Sequence, residues 1–321
     1  MRALILKEKS KPLTVEEVKN PAGEIIVQLS HAALNHRDVW IQKGMYAAIE
    51  YPAILGSDGV GKVISDGDWK AKEIIINPNI NWGDSQQFQS KTYQVLGMPS
   101  QGTFAEQISL NVDRLVEKPD HLSNEEAAAL PLSGLTAYRA LFKRANASSN
   151  DKVLINGVGG GVALIACQFA IAAGCKVYVT SSKHEKIDAA VALGAKAGFN
   201  YKEDDWVTKA KAVGGFDVII DSAGGEGFKN LVKVSKSGAR IAFYGGTHGN
   251  ISINPQVVFW KQISILGSTM GSDVDFNEMV NFVNHHKIKP VVDSVYKLAD
   301  GQAAFDKMAA GKQFGKIVLE I

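Results

Sequence analysis

Two hydrophobic textures divide the chain. Up to about residue 125, short apolar runs such as EIIVQLSHAAL (from Glu24), GVGKVIS (from Gly59) and KEIIINP (from Lys72) alternate with clusters of Gly, Pro and Asn. That pattern predicts short strands of a partly closed antiparallel sheet, with MRALIL as the first of them. From Asp151 the period changes. KVLIN, a run of glycines, LIACQFAIAA, KVYVTSS and EKIDAAVALGA read as strand, loop, helix, strand, helix. FDVIIDSAGG, FKNLVKVS and ARIAFYGG continue the alternation, which predicts a doubly wound α/β sheet of parallel strands. After Ser268 come helical segments at Phe276–His285 and Asp300–Ala310, then the strand KIVLEI. This tail is too small to fold alone and is expected to complete the N-terminal domain. The expected division is therefore residues 1–125 with 269–321 as one domain and 126–268 as the other.

A length of 321 residues agrees with two cores rather than one. The 35 basic and 33 acidic residues leave a charge of +2 and form no long blocks of one sign, so no nucleic-acid surface is expected. The two cysteines, Cys167 and Cys175, exclude a disulfide framework and CxxC zinc sites, and are read as buried structural thiols. The apolar stretch at the N-terminus is too short for a signal peptide, and Val162–Cys175 is too short to span a membrane, so a cytoplasmic location is expected.

The glycine run carries the first chemistry. Gly157, Gly159, Gly160 and Gly161, followed by Val162, stand between a predicted strand and helix. Glycines there let the backbone turn sharply beside a pyrophosphate, whose charge meets the free N–H groups at the helix start. Ala163 stands where a third glycine of the pattern could be. Cofactor choice is read at the end of the next strand, where an acid would accept hydrogen bonds from a ribose 2′-OH. Ser181 occupies that tip, followed by Ser182, Lys183 and Lys186. Hydroxyl and ammonium groups suit a 2′-phosphate, so NADPH is favoured over NADH. Ser182 and Glu185 also fit an S-x-x-E capping box, which makes Ser182 a helix cap first.

Taken together, Asn35-His36-Arg37-Asp38, LGSDGVGKV, QGTFAEQISL, EEAAALPLSGLTAYRAL, NGVGGGVALIACQFA and FGKIVLEI resemble the medium-chain dehydrogenase/reductase superfamily. The nearest resemblance is to its zinc-free quinone oxidoreductase branch, which includes zeta-crystallin. The resemblance implies a Rossmann domain beside a β-rich GroES-like domain. It also implies that Asn35, Ser57 with Asp58, and Leu132 stand where zinc alcohol dehydrogenases carry metal ligands. That set offers too few donors for a catalytic zinc, which needs about three, so no metal is expected. Thr136 matches a residue near the nicotinamide, and Tyr201 and Lys186 match groups at the 2′-phosphate. Gly245 and Gly246 would approach the nicotinamide half, and Tyr46 matches a tyrosine of the substrate cleft.

Without a metal to polarise a carbonyl, activated acceptors are the natural substrates, because conjugation spreads the developing charge. The expected function is hydride transfer from NADPH to quinones or α,β-unsaturated carbonyls, with Tyr46 and Asn35 as the polar pair at the acceptor oxygen. Asp38 and Asp58 are read as structural anchors. Two alternatives stay open: a zinc alcohol dehydrogenase, and a non-catalytic NADPH-binding protein. ISILGS (263–268) would leave an apolar sheet edge, which predicts a homodimer.

Overall fold

The structure, a computed structural model, describes residues 1–321. The alternating N-terminal runs become strands as expected. In chain order they are β1 (Arg2–Leu6), β2 (Thr14–Glu17), β3 (Ile25–Ala33), helix α1 (His36–Gln42), β4 (Ala53–Ile54), β5 (Asp58–Val63), β6 (Glu73–Ile76), β7 (Asn79–Ile80), β8 (Gln94–Val95), β9 (Gln107–Leu110) and β10 (Leu115–Glu117). Helices α2 (Asn124–Ala128) and α3 (Pro131–Tyr138) follow. Next comes the wound segment: β11 (Lys152–Ile155), α4 (Gly161–Ala172), β12 (Lys176–Ser181), α5 (His184–Ala192), β13 (Ala197–Asn200), α6 (Trp206–Ala212), β14 (Phe216–Asp221), α7 (Phe228–Val234), β15 (Ser235–Phe243), α8 (Pro255–Trp260) and β16 (Ser264–Gly267). The chain ends on α9 (Asp273–His286), β17 (Val292–Lys297), α10 (Gly301–Ala309) and β18 (Lys316–Glu320).

Two compact units result, residues 1–135 with 271–321 and residues 136–270. The first boundary thus falls at 135, not at 125. The physical reason is that α2 packs on β3 and β5, and that the Leu132 N–H donates to the Asp58 carboxylate. Residues 126–135 are held by the first unit although they read as the entry to the second.

In the first unit the sheet order is β10-β6-β5-β3-β18-β17, with β9 also on β3. The C-terminal strand β18 runs antiparallel to β3, placing Val318 opposite Ala33 and Glu320 opposite His31. The terminal tail therefore does complete this sheet. Its strand is buried along Lys316–Leu319, which explains the apolar run Ile317–Leu319. A second cluster, on Leu4, Leu6, Leu34, Ile41, Phe104 and Phe305, packs α1 and α10 onto β1.

The second unit is a six-stranded parallel sheet of order β13-β12-β11-β14-β15-β16. Val153, Leu154 and Ile155 of β11 and Val218, Ile219 and Ile220 of β14 are buried, as expected where helices cover both faces. Strand order reverses between β11 and β14, and ligands of such sheets bind beyond the strand ends at that point. Cys167 in α4 and Cys175 before β12 are free and buried. Desolvation pushes their thiols up to about 12 and about 11, so both are inert packing residues. No helix is long and apolar enough to cross a membrane.

Candidate active site

In the second unit, the reversal point is built from three polar side chains. Asn156, just past β11, donates from Nδ2 to Asp221 Oδ1 at 2.6 Å, and its Oδ1 accepts from Thr180 Oγ1 at 2.5 Å. Thr180 Oγ1 in turn accepts the Gly157 N–H at 2.9 Å, and the Thr180 carbonyl accepts that of Val158. The Gly-rich turn is thus tied to the ends of β11, β12 and β14 before α4 begins. Gly159 adopts φ +134°, a conformation that side chains rarely allow. Gly160 precedes the helix, and a Cβ placed there would meet open space. Gly161 and Val162 form its first turn, which carries no acidic residue and no side-chain cap. The result is a helix N-terminus that no side chain caps, with room above Gly160, the arrangement that binds a phosphate.

Lys186, on the first turns of α5, reaches this turn: a Cβ on Gly159 would lie 2.7 Å from its Cδ and 3.0 Å from its Nζ. Ser181 ends β12, is buried, and its Oγ accepts the Lys183 N–H at 3.4 Å. Ser182 does not cap α5. The helix starts at His184, its N-cap position is Lys183 and no side chain caps it, so Ser182 stands one residue too early and is exposed. Tyr201 follows β13 and is partly exposed, its N–H bonded to the Ser181 carbonyl. Ser181 and Tyr201 therefore sit side by side at the sheet edge. Gly245 follows β15 by two residues, and a Cβ there would lie 2.7 Å from the Ser222 carbonyl oxygen, so the backbone passes too closely for a side chain. Gly246 is exposed. Thr136 is buried, with Oγ1 donating to Met270 Sδ at 3.6 Å.

In the first unit, Asn35 precedes α1 and is nearly buried. Its Nδ2 donates to Asp58 Oδ2 at 2.9 Å, and its Oδ1 accepts from Lys316 Nζ at 2.7 Å and from Ser133 Oγ at 3.4 Å. Lys316 also donates to Asp58 Oδ2 at 2.9 Å, and Asp58 Oδ1 takes the Leu132 N–H at 2.7 Å. Tyr46 does not bond Asn35 directly. Its Oη accepts from Arg37 Nε at 3.4 Å, and Arg37 donates onward to Ser57 Oγ at 2.6 Å and to the Leu96 carbonyl at 2.7 Å. Asp38 is fully buried. Its Oδ2 accepts the Asn35 N–H at 2.8 Å, its Oδ1 has no partner, and burial raises its pKa from 3.8 to about 6, against the lowering effects of Arg37, the Asn35 N–H and Lys316.

Lys316 and Arg37 were not singled out in the sequence as site residues. A signal existed for Lys316: a lysine opening a strand whose next three residues are apolar and buried has no solvent to reach. For Arg37 the only clue was its place beside Asn35.

Comparison with known proteins follows this geometry. Residues 21–120 match the alcohol dehydrogenase GroES-like domain and residues 161–285 the zinc-binding dehydrogenase family. The chain is 35% identical to the zinc-type alcohol dehydrogenase-like protein YogA of Leptosphaeria maculans, with 97% of this chain and 95% of that protein covered. It is 30% identical to the quinone oxidoreductase of Mus musculus, covering 92% and 88%. A crystal structure of an NAD-dependent alcohol dehydrogenase superposes over the whole of both chains with a TM-score of 0.95 and 34% identity. The chain belongs to the medium-chain dehydrogenase/reductase superfamily and is an oxidoreductase of that type, for which a nicotinamide cofactor is expected.

The family name implies zinc, and the donor set can be tested against it. Asn35 offers an amide, Ser57 a hydroxyl, Asp58 a carboxylate and Leu132 nothing, while the Lys316 ammonium lies among them. No three His, Cys, Asp or Glu side chains gather into a metal-holding group anywhere in the structure. A dication beside a buried ammonium, with one carboxylate for support, is electrostatically unfavourable. These residues do not fit a catalytic zinc. The Gly-rich turn with Lys186 and Ser181 does fit the phosphates of a dinucleotide.

Proposed function

We propose that this chain is a zinc-independent, NADPH-dependent reductase of quinones and α,β-unsaturated carbonyls. The observation that carries the reading is the buried Lys316 ammonium bonded to both Asn35 and Asp58. An ammonium paired with a carboxylate in that place can hold the Asn35 amide toward a developing anion but cannot bind and ionise an alcohol as a Lewis-acid metal does. Conjugated acceptors need only that support.

Bound NADPH would supply the hydride. The N–H groups of Gly159 to Val162 would hold its pyrophosphate, and Ser181, Lys186 and Tyr201 its 2′-phosphate. Thr136, Gly245 and Gly246 would line the nicotinamide half. Asn35 and Tyr46 would donate to the acceptor oxygen. The absence of an acid at the tip of β12 supports NADPH, since a carboxylate there would repel the extra phosphate. The 30% identity to a quinone oxidoreductase agrees with this acceptor class.

The test is NADPH oxidation against a panel of quinones, 2-alkenals and enones, run beside metal analysis of the purified protein. Turnover that survives chelation, in protein free of stoichiometric zinc, is expected. Alcohol oxidation that depends on added zinc would replace this reading with that of a zinc alcohol dehydrogenase.

A further inference from the structure

Asn35, Asp58 and Lys316 come from the loop before α1, the start of β5 and the start of β18, and they form a closed triangle. Asn35 Nδ2 donates to Asp58 Oδ2, Lys316 Nζ donates to that same oxygen, and Lys316 Nζ also donates to Asn35 Oδ1, all within 2.7–2.9 Å. Lys316 and Asp58 are 2% and 0% exposed. Burying an ion pair costs desolvation that an apolar contact would not, and such pairs are poor devices for stability alone.

The triangle fixes the direction of the Asn35 amide. Its oxygen must face the ammonium and its nitrogen must face the carboxylate, because the reverse orientation would oppose like groups at both ends. Two donor protons remain without a partner: the second hydrogen of Asn35 Nδ2 and the third of Lys316 Nζ. Asn35, at 6% exposed, is the more accessible of the two.

From this we infer that Lys316 is a positioning residue for the reduction. Its ammonium, paired with the Asp58 carboxylate, locks the Asn35 amide so that the free Nδ2 hydrogen points at the acceptor oxygen. The inference rests on the acceptor-reducing function proposed above. Bound NADPH would supply a hydride, with its electron pair, to the β-carbon of an enone. The π electrons would move to the oxygen as an enolate, and a proton from water would go to the α-carbon, so that the products are NADP⁺, the saturated ketone and hydroxide. An oriented donor near the oxygen lowers the barrier most when the anion formed is intrinsically least stable.

The experiment compares a simple enone, whose enol is a weak acid, with a naphthoquinone, whose hydroquinone is a stronger one. The variants are Lys316→Met, Lys316→Arg, Asn35→Ala and the double variant Asn35→Ala/Lys316→Met. We expect Lys316→Met to lower kcat for the enone about 100-fold and for the quinone less than tenfold, as loss of one oriented donor does. NADPH affinity should stay within about twofold, and Lys316→Arg should recover most of the enone rate. In the Asn35→Ala background the Lys316→Met change should add little, because the two act as one unit. Should Lys316→Met not fold, Lys316→Met/Asp58→Asn leaves no unpaired charge and carries the same comparison. Equal losses on both acceptors, or additive losses in the double variant, overturn the role of Lys316 while leaving the proposed function intact. A wild type that binds NADPH and reduces neither acceptor overturns the function and this role together.

Discussion

The stem of Lys186 lies against the backbone of Gly159, so closely that a Cβ on the glycine would sit 2.7 Å from Cδ. Two features distant in sequence thereby meet at one turn: the Gly-rich entry to α4 and the first turns of α5. The glycine leaves space that the lysine fills. The ammonium thereby lies within reach of the turn that follows β11.

Cofactor preference should follow from this contact. Lys186→Ala should weaken NADPH by about tenfold or more and leave NADH nearly unchanged, since a charge-assisted hydrogen bond contributes about 1.5–3 kcal/mol. Ser181→Asp should lower or reverse the preference, because a carboxylate repels the 2′-phosphate and accepts from a ribose hydroxyl. Binding titrations with both cofactors at fixed salt measure this. Equal losses of the two cofactors would show that Lys186 and Ser181 support the fold and do not select the phosphate.

Much of this arrangement was legible because glycine patterns and strand periodicity are local. Val153–Ile155 and Val218–Ile220 announce buried parallel strands in any order, and the Gly-rich turn marks the switch between them. The triangle of Asn35, Asp58 and Lys316 was only partly legible. Asn35 and Asp58 lie in stretches that the sequence marks, but their partner Lys316 comes from 281 residues away. The antiparallel pairing of β18 with β3, extended by the Leu34 N–H to the Ile317 carbonyl, brings them together. The expected cap at Ser182 failed for a local reason. Ser181 still belongs to β12, and one further residue is needed before the chain can turn into α5. An S-x-x-E pattern does not itself fix where the strand ends.

Asp38 should make stability fall with rising pH. Its carboxyl ionises at about 6 in the fold against 3.8 as the ordinary value, first because of burial. Between those values the unfolded chain has released the proton and the folded chain has kept it. The group's contribution therefore declines as pH rises through that interval and is constant above it. The full gap is worth about 3 kcal/mol at roughly 1.4 kcal/mol per pH unit, of which about 2 falls above pH 4.5. Asp38→Asn keeps an acceptor for the Asn35 N–H and removes the titration. Denaturant unfolding at pH 4.5 and 7.5 should show the variant gaining about 2 kcal/mol relative to wild type at the higher pH. A difference that does not change with pH would refute the assignment.

The phenol of Tyr46 accepts from Arg37 Nε at 3.4 Å, and the guanidinium carbon lies 5.0 Å from the ring centre. Both contacts orient the ring, and neither uses the phenolic proton. That proton is available to an acceptor oxygen. Tyr46→Phe should therefore lower kcat/KM for enones and quinones about tenfold, the order expected for one lost hydrogen bond in the transition state. Thermal unfolding should move little, because the ring keeps its packing against the first-unit core. Unchanged kinetics in the phenylalanine variant would assign Tyr46 to packing alone.

Self-association should depend on the far edge of the parallel sheet. Strand β16 pairs with β15 on one side only, and no strand pairs with its other side. Helix α8, just before it, exposes Phe259 at 54% and Trp260 at 79%, with ring centres 5.8 Å apart. Proteins seldom leave an open edge and a large aromatic pair uncovered together. A second copy related by a two-fold axis would cover both at once, since the same patch would meet itself and the strands could pair antiparallel. Sedimentation equilibrium at micromolar concentration should give twice the chain mass. Trp260→Glu/Leu266→Glu should give a monomer, because carboxylates would then face one another across the axis. NADPH binding is a control, as neither position belongs to the proposed cofactor contacts. A wild type that stays monomeric at these concentrations would reject the dimer and leave the exposed pair to some other partner.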